Sequence, residues 1–445
     1  MTYPPGPNEN PMLVMYRWIR RPFELLERAK AGYGDVFTLP LPFAAPASHE
    51  AGESVKLVAV SDPAIIKEIF ALGPEDVHAG EANVVLKPFL GKHSLLLLDG
   101  APHLRHRKMI LPSFHGERML AYGRTMIDLA NDTIDRLPVG RPLRAHAPLQ
   151  ALTMQIIVRT VFGVDEGPRF AELASLLTRE LDASAWPGLI FPMLQRDLGP
   201  LSPWGRWLRL RERTSRLIRT EIARGRASTR SGRTDVLSML LDTELTDDEV
   251  HDELVTLLVA GHETTATSLA WALRWVLPNR KLVGELREEI DSARGDPAKI
   301  AKLELLDCTT KETLRLQPVI PMVGRVLQEP MRVGAWDLPR GALVAPAIYL
   351  VHRRPDLYPN PTAFDPKRFL AFKPAAWEYL PFGGGLRKCV GAAFAIYEMK
   401  MVLATLLSRV EMHLASPRVR VARRSITLTP SGGLPVRVTS VRQVA

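Results

Sequence analysis

Cysteine is nearly absent: the 445 residues carry two, Cys308 and Cys389. Two thiols so far apart offer no disulfide framework, and one thiolate alone cannot assemble a zinc site or an iron–sulfur cluster, which need several protein ligands at short spacing. A reducing compartment follows. Long apolar runs are missing too. The longest near the start, Met12-Leu-Val-Met15, is interrupted by Arg17, Arg20 and Arg21, whereas a membrane span takes about 20 apolar residues. The chain therefore reads as soluble and cytoplasmic. There is no internal repeat and no linker, so 1–445 reads as a single domain although its length would allow two or three. Hydrophobic residues at 46% and charged residues at 24% exclude a disordered or fibrous class. The formal net charge of +10 comes largely from arginine spread along the chain. Without a clustered basic face or reader elements, nucleic acid is excluded as a partner. The densest run, Arg206, Arg209, Arg211, Arg213, Arg216 and Arg219, points in several directions at helical spacing. It reads as a solvated helix face, with contact to an anionic surface as the lesser alternative.

What is present centres on Leu380-Pro-Phe-Gly-Gly-Gly-Leu-Arg-Lys-Cys389-Val-Gly391, a lone cysteine in a glycine-rich loop ahead of a helix-like stretch. Glycines let several backbone N–H groups approach one sulfur, and the positive end of a helix dipole lowers thiol pKa. Such a loop suits a thiolate metal ligand. Haem needs only one axial ligand; the bland alternative is a buried cysteine in a glycine turn. Thr246-Asp-Asp-Glu249 is a capping box, after which the pattern runs without proline to Pro278, a helix of roughly 45 Å. At 100° per residue Leu257, Ala260, Gly261, Thr264 and Ser268 share a face that combines small side chains with a hydroxyl. Such a face leaves room over a metal and can guide protons, although a helical threonine commonly bonds the carbonyl four residues back. On its own Glu263 reads as a paired structural acid. His103 and Arg107 lie four apart, hence on one helical face, and Glu312 can pair with Arg315 across one turn.

Phe382, Gly385, Arg387, Cys389 and Gly391 match Phe-x-x-Gly-x-Arg-x-Cys-x-Gly, the haem-binding signature of the cytochrome P-450 superfamily, at every defining position. Ala260-Gly-His-Glu263-Thr264 matches that family's Ala-Gly-x-Glu/Asp-Thr, and Glu312-x-x-Arg315 with Arg368 of Pro366-Lys-Arg-Phe369 matches its Glu-x-x-Arg and Pro-x-Arg-Phe segments, in the family's order. The resemblance covers about residues 33 to 438; Lys367 departs from it, standing where the family often has glutamate.

The resemblance implies a mainly α fold with a smaller β region, a long central helix over the haem and the cysteine loop on the proximal side. The β-rich parts are then about 33–60, 319–350 and 419–438, and the helical parts about 61–318 and 391–410. It implies haem b (iron protoporphyrin IX) with Cys389 on the iron, where a thiolate favours O–O cleavage. Phe382, Gly383, Gly391, Ala260 and Gly261 would pack around that haem; His103, Arg107, Arg325 and Arg387 would neutralise its propionates, and Thr264 with Glu263 would deliver protons. Val84, Leu86, Phe89, Leu257, Ala260, Val319, Ile320, Val323 and Leu428 would line the substrate pocket, roofed by the apolar, proline-broken segment Ala185–Met193. The implied activity is a soluble, bacterial-type, monomeric monooxygenase that uses O2 to hydroxylate a hydrophobic substrate such as a fatty acid, terpenoid or steroid. Electrons would come from a separate ferredoxin or flavodoxin with its reductase, docking near Arg387, Lys388 and Lys400. The rival readings are a peroxide-using peroxygenase or isomerase, and a non-catalytic haem or ligand-binding protein.

Local structure is expected as strands at Tyr33–Thr38 and Val55–Val60, then a helix from Ser61-Asp62-Pro63. Helices follow at Leu149–Phe162, Phe170–Leu181 and Ala392–Leu407. Strands are expected over Val333–Ile348 around a turn at Asp337–Gly341, and over Val419–Val438 with a break at Pro430–Gly433.

Overall fold

The computed structural model describes residues 2–41, 56–114, 116, 118–163, 167–184, 194–228, 235–424 and 426–443. The roof expected over 185–193 lies outside them. Among the described residues twelve helices of nine or more residues dominate: α1 (Pro11–Arg20), α2 (Pro22–Tyr33), α3 (Pro63–Ala71), α4 (Gly100–Ile110), α5 (Arg118–Asp135), α6 (His146–Phe162), α7 (Pro168–Ser184), α8 (Pro203–Ala227), α9 (Asp247–Val276), α10 (Arg280–Ala293), α11 (Glu304–Leu316) and α12 (Ala392–Arg409). The strands are short: β1 (Val36–Leu39), β2 (Leu57–Val60), β3 (Val77–His78), β4 (Pro142–Arg144), β5 (Arg325–Leu327), β6 (Met331–Val333), β7 (Trp336–Leu338), β8 (Leu343–Pro346), β9 (Val410–Leu414), β10 (Val421–Arg424), β11 (Thr427–Pro430) and β12 (Pro435–Val441).

The 30-residue α9 starts where its capping box predicts. Thr246 Oγ1 accepts the Glu249 amide at 3.3 Å while the Glu249 carboxylate accepts the Thr246 amide at 2.8 Å, so two otherwise orphaned donors are satisfied. Asp247, Asp248 and Glu249 in the first turn add favourable charge at the positive end of the dipole. The helix runs through the main apolar core, whose side chains come chiefly from α5, α6, α9 and α12.

A five-stranded sheet in the order β1-β2-β8-β5-β3 forms a second body of apolar packing, with β2 and β8 parallel and the other pairs antiparallel. Residues ahead of the sheet are anchored to it. The Pro5 carbonyl accepts the Thr38 amide at 3.0 Å and the Pro4 carbonyl accepts its hydroxyl at 2.7 Å. A Cβ on Gly6 would fall 1.9 Å from the Thr38 carbonyl oxygen, so only glycine permits this approach.

Several expectations need adjusting. Tyr33 closes α2 instead of opening a strand, because Pro22 starts that helix and Gly34 at φ 84 stops it. The turn expected within Asp337–Gly341 separates β7 from β8, closed by the Ala342 amide donating to the Pro339 carbonyl at 3.2 Å with Gly341 at φ 83, although Asp337 itself lies inside β7; a second turn at Gly334, at φ 61, makes the 331–338 hairpin, in which Val333 pairs with Trp336. Two short strands, β3 and β4, interrupt the stretch expected to be wholly helical.

Candidate active site

The cysteine loop rests on a buried ionic knot. Arg315 reaches Glu312 through two bonds of 2.7 and 2.8 Å, and Arg368 Nε adds a third at 3.1 Å, with Glu312 and Arg315 fully buried. Arg315 also donates to the carbonyls of His352 at 2.6 Å and Pro361 at 2.8 Å. The His352 ring is the link onward. Its Nδ1–H donates to the Arg315 carbonyl at 3.1 Å, and its Nε2 accepts the amide of Leu380, the first residue of the loop, at 2.7 Å. Burial first, and then the Arg315 charge, draw the His352 pKa down to about 3. The ring is neutral at ordinary pH, as an accepting Nε2 requires.

Beyond Leu380 the chain turns through Gly383 at φ 67 and Gly385 at φ 63. A Cβ on Gly384 would sit 2.3 Å from the Phe70 ring, so this stretch is pressed onto α3. The Cys389 amide donates to the Phe382 carbonyl at 3.0 Å, closing the loop, and α12 begins three residues later behind Gly391. The Phe382 ring packs, partly buried, against the main core. Cys389 is accessible, as are Gly385, Leu386 and Lys388 beside it. Burial pushes its thiol pKa up, outweighing the Gly391 amide, Arg107 and Lys388, which pull it down. The loop alone therefore does not ionise the thiol, contrary to the lowering expected from glycines and dipole; a coordinated metal cation would. Among the described residues no group of three or more His, Cys, Asp or Glu could hold a metal ion.

Beside the loop stands a cationic cluster. His103, Arg325 and Arg387 line one small cavity with Phe70, Gly384 and Gly385. Arg107, one turn along α4 from His103, donates to the Lys388 carbonyl at 2.7 Å. Burial, then Arg387, Arg107 and Arg325, lower the His103 pKa to about 3. Arg387 is paired with Asp99, whose carboxylate also accepts the amides of Ala79 and Gly80 at 2.9 Å each. Arg325 has no such partner. It is 5% exposed, and among the described residues it bonds only the carbonyls of Gly324 at 2.7 Å and Gly384 at 3.4 Å. A buried guanidinium without an anion is costly, so the cluster is short of negative charge.

α9 is buried along most of its length but accessible at Val259, Ala260, Gly261, Glu263 and Thr264. Thr264 Oγ1 donates to the Ala260 carbonyl at 2.6 Å, the local bond a helical threonine favours. Glu263 faces another way. Gln150 donates to its carboxylate at 2.9 Å, while His146 and Arg424 each lie 3.5 Å from it. Burial opposes ionisation, but His146 and Arg424 outweigh it and hold the carboxyl below its usual range. Arg424 in turn pairs with the exposed Asp182 of α7.

The expected lining residues divide. Val84 and Leu86 are half-buried in a short 3-10 turn. Val319 and Leu428 meet, the Leu428 amide donating to the Val319 carbonyl at 3.0 Å, and Ile320 and Val323 are half-buried close by in sequence. Leu257 is buried in the main core. Phe89 packs instead in an aromatic cluster, 4.9 Å from Trp207 and 6.3 Å from Trp204 between ring centroids. Lys400, expected on the surface near the cysteine, is buried and bonds the Ala301 carbonyl and Asp307. Arg387 likewise turns inward, to Leu95, Leu98 and Asp99. Sequence reasoning did not single out His352, Asp99 or Glu398. Glu398 is buried on α12, takes a hydrogen bond from Thr265 of α9, and is driven well above the usual carboxyl range by burial. None of the three has a spacing signal that marks its partner.

A lone accessible thiol in a glycine cradle and a cluster of cations short of an anion fit one group with a single open axial position and acidic side arms. Haem has both. The comparisons agree. The profile of the family described as "Cytochrome P450" matches residues 4–434. "Putative cytochrome P450 135B1" of Mycobacterium tuberculosis (strain ATCC 25618 / H37Rv) is 36% identical over 457 residues, spanning 100% of this chain and 93% of that protein. "Putative cytochrome P450 137" of the same organism (strain CDC 1551 / Oshkosh) is 31% identical over 431 residues, 95% of this chain and 86% of that one. The structure described as "Retinoic acid bound cyanobacterial CYP120A1" superposes with a TM-score of 0.84 at 22% identity, covering 99% of this chain and 100% of that one. Its likeness shows the mainly α fold with small sheets. The chain belongs to the cytochrome P450 family and is a haem b monooxygenase.

Proposed function

We propose that Cys389 is the axial ligand of the haem and that the enzyme hydroxylates an apolar organic substrate with electrons from a separate ferredoxin or flavodoxin. The observation that carries this reading is the unpaired Arg325, buried within reach of the cysteine loop's Gly384 carbonyl and in need of an anion such as a propionate. Haem, when bound, supplies dioxygen activation and insertion of one oxygen atom into the substrate.

The chain's own residues bind, orient and move protons. Arg325, Arg387, Arg107 and neutral His103 hold the propionates, the guanidinium forks suiting carboxylate geometry. Phe382 and Gly384 exclude water from the sulfur side. On α9, Ala260 and Gly261 leave space, and Thr264 Oγ1, whose proton is committed to the Ala260 carbonyl, keeps its lone pairs free to hold a proton-carrying water. Glu263 stands one residue along, on the side of the partly exposed Arg424, and takes up protons from solvent there. Val319, Ile320, Val323, Val84 and Leu86 give the substrate side an apolar character that suits a fatty acid, terpenoid or steroid.

Thr264→Ala tests the proton role: product formed per O2 consumed should fall several-fold while peroxide or water rises. Unchanged coupling removes Thr264 from the proton path. Of the three cations expected at the docking face only Lys388 is exposed, so reduction by an acidic partner should slow with salt and more so in Lys388→Gln.

A further inference from the structure

We propose that the outward face of α8, with the leucines just before it, binds the surface of an anionic phospholipid bilayer. The arginine run divides in the structure. Arg211 turns inward, its guanidinium 5.4 Å from the Trp207 ring centroid, and Arg219 pairs with Asp248 at 2.8 Å. Arg206, Arg209, Arg213 and Arg216 are exposed, and their spacings of three, four and three residues keep them within about 80° of arc. The expectation of mixed directions does not hold for these four. Among the described residues no carboxylate pairs with any of them; two acids are exposed nearby, Glu212 beside the stripe and Asp197 against Gly205 at its N-terminal end. Over ten residues the stripe is about 15 Å long.

Its N-terminal end is greasy. Leu194, Leu198 and Leu201 are 46%, 65% and 86% exposed, and Leu201 is the most exposed large hydrophobic side chain among the described residues. A single exposed leucine is ordinary; three together, continuous with four unpaired cations, are the two components of an interfacial surface. The leucines enter the boundary of the acyl chains while the arginines reach lipid phosphates. An acidic protein would satisfy the arginines but has no electrostatic use for the leucines, so the pair of features favours lipid. No helix among the described residues is long and apolar enough to cross a membrane, so the attachment is peripheral. It would hold the enzyme where apolar substrates dissolve.

Co-sedimentation of the holoprotein with vesicles of phosphatidylcholine, with and without phosphatidylglycerol, tests this. The wild type should bind the anionic vesicles, release with salt, and ignore phosphatidylcholine alone. At about fivefold per cation, replacing Arg206, Arg209, Arg213 and Arg216 by Gln should lower the partition constant by roughly 600-fold. Replacing four exposed arginines elsewhere, Arg20, Arg28, Arg294 and Arg332, removes the same charge and should leave binding within a few-fold of wild type. Leu198→Ser with Leu201→Ser should lower the partition constant on the anionic vesicles at low salt while leaving the slope of its salt dependence unchanged. Intact haem absorbance in each variant shows that it is folded. Any of three results overturns the proposal: no wild-type binding, equal loss in the two quadruple variants, or an acidic ferredoxin captured through α8 while vesicles are ignored.

Discussion

Replacing Arg325 by Met should act with opposite sign on the apoprotein and the holoprotein. The guanidinium is buried, and burial together with Arg387 draws its pKa down to about 10, with Asp99 opposing. At about 1.4 kcal/mol per pKa unit, keeping the charge costs the folded apoprotein about 3 kcal/mol, in full below pH 10 and fading as pH rises beyond it. Methionine has a similar shape without the charge. The lost bonds to the Gly324 and Gly384 carbonyls return about 1 kcal/mol of that, so Arg325→Met should stabilise the apoprotein by about 1–2 kcal/mol. In the holoprotein the same change would delete the proposed charge-assisted bond to a propionate, worth about 1.5–3 kcal/mol, so haem should escape roughly 10- to 100-fold faster. Urea unfolding of the apoprotein, followed by tryptophan fluorescence, reads the first effect; transfer of haem to excess apomyoglobin reads the second. An arginine that merely braces the fold would lower both. Destabilised apoprotein, or unchanged haem retention, refutes the reasoning.

Gly384→Ala places a Cβ 2.3 Å from Phe70 and must displace the loop, so haem content after purification should fall sharply while far-ultraviolet dichroism is kept; full occupancy would show that the loop tolerates the shift. Glu312→Gln leaves Arg315 and Arg368 buried without their shared anion and should lower stability by about 3–5 kcal/mol in chemical unfolding, whereas Lys311→Gln, on the exposed side of the same helix, should change it by under about 1 kcal/mol. His352 is neutral in the fold with a pKa near 3, so its contribution is complete above the unfolded value of about 6.5 and drains as pH falls toward 3. Stability of the wild type over that range should slope more steeply than that of His352→Gln, and parallel slopes would remove His352 from the account.

The parts legible in the sequence were those whose cause is local. The capping box at Thr246 and the proline at 278 bracket α9 because caps and missing donors act within one turn. The cysteine loop was legible because Phe382, Gly385, Arg387, Cys389 and Gly391 match the family's haem-binding signature; the lone thiol and the glycines by themselves left a buried cysteine in a turn open. What escaped depends on partners far along the chain. Nothing near Lys400 signals that Ala301 and Asp307 wait for it, and nothing near Arg387 signals Asp99. His352 reaches Leu380 from 28 positions away. Phe89 has the size and apolarity of a pocket residue, but Trp204 and Trp207 compete for it. The arginines of α8 carry a readable spacing, yet only exposure and the lack of a paired carboxylate among the described residues separate Arg206, Arg209, Arg213 and Arg216 from Arg211 and Arg219.

The bond between iron and the Cys389 sulfur is tested most directly by the absorption spectrum of the reduced protein under carbon monoxide. The account predicts the long-wavelength Soret band of thiolate-bound haem, retained in Cys308→Ala and lost in Cys389→Ala. A band at the shorter wavelength of histidine-bound haem in the wild type, or its thiolate band surviving in Cys389→Ala, contradicts it.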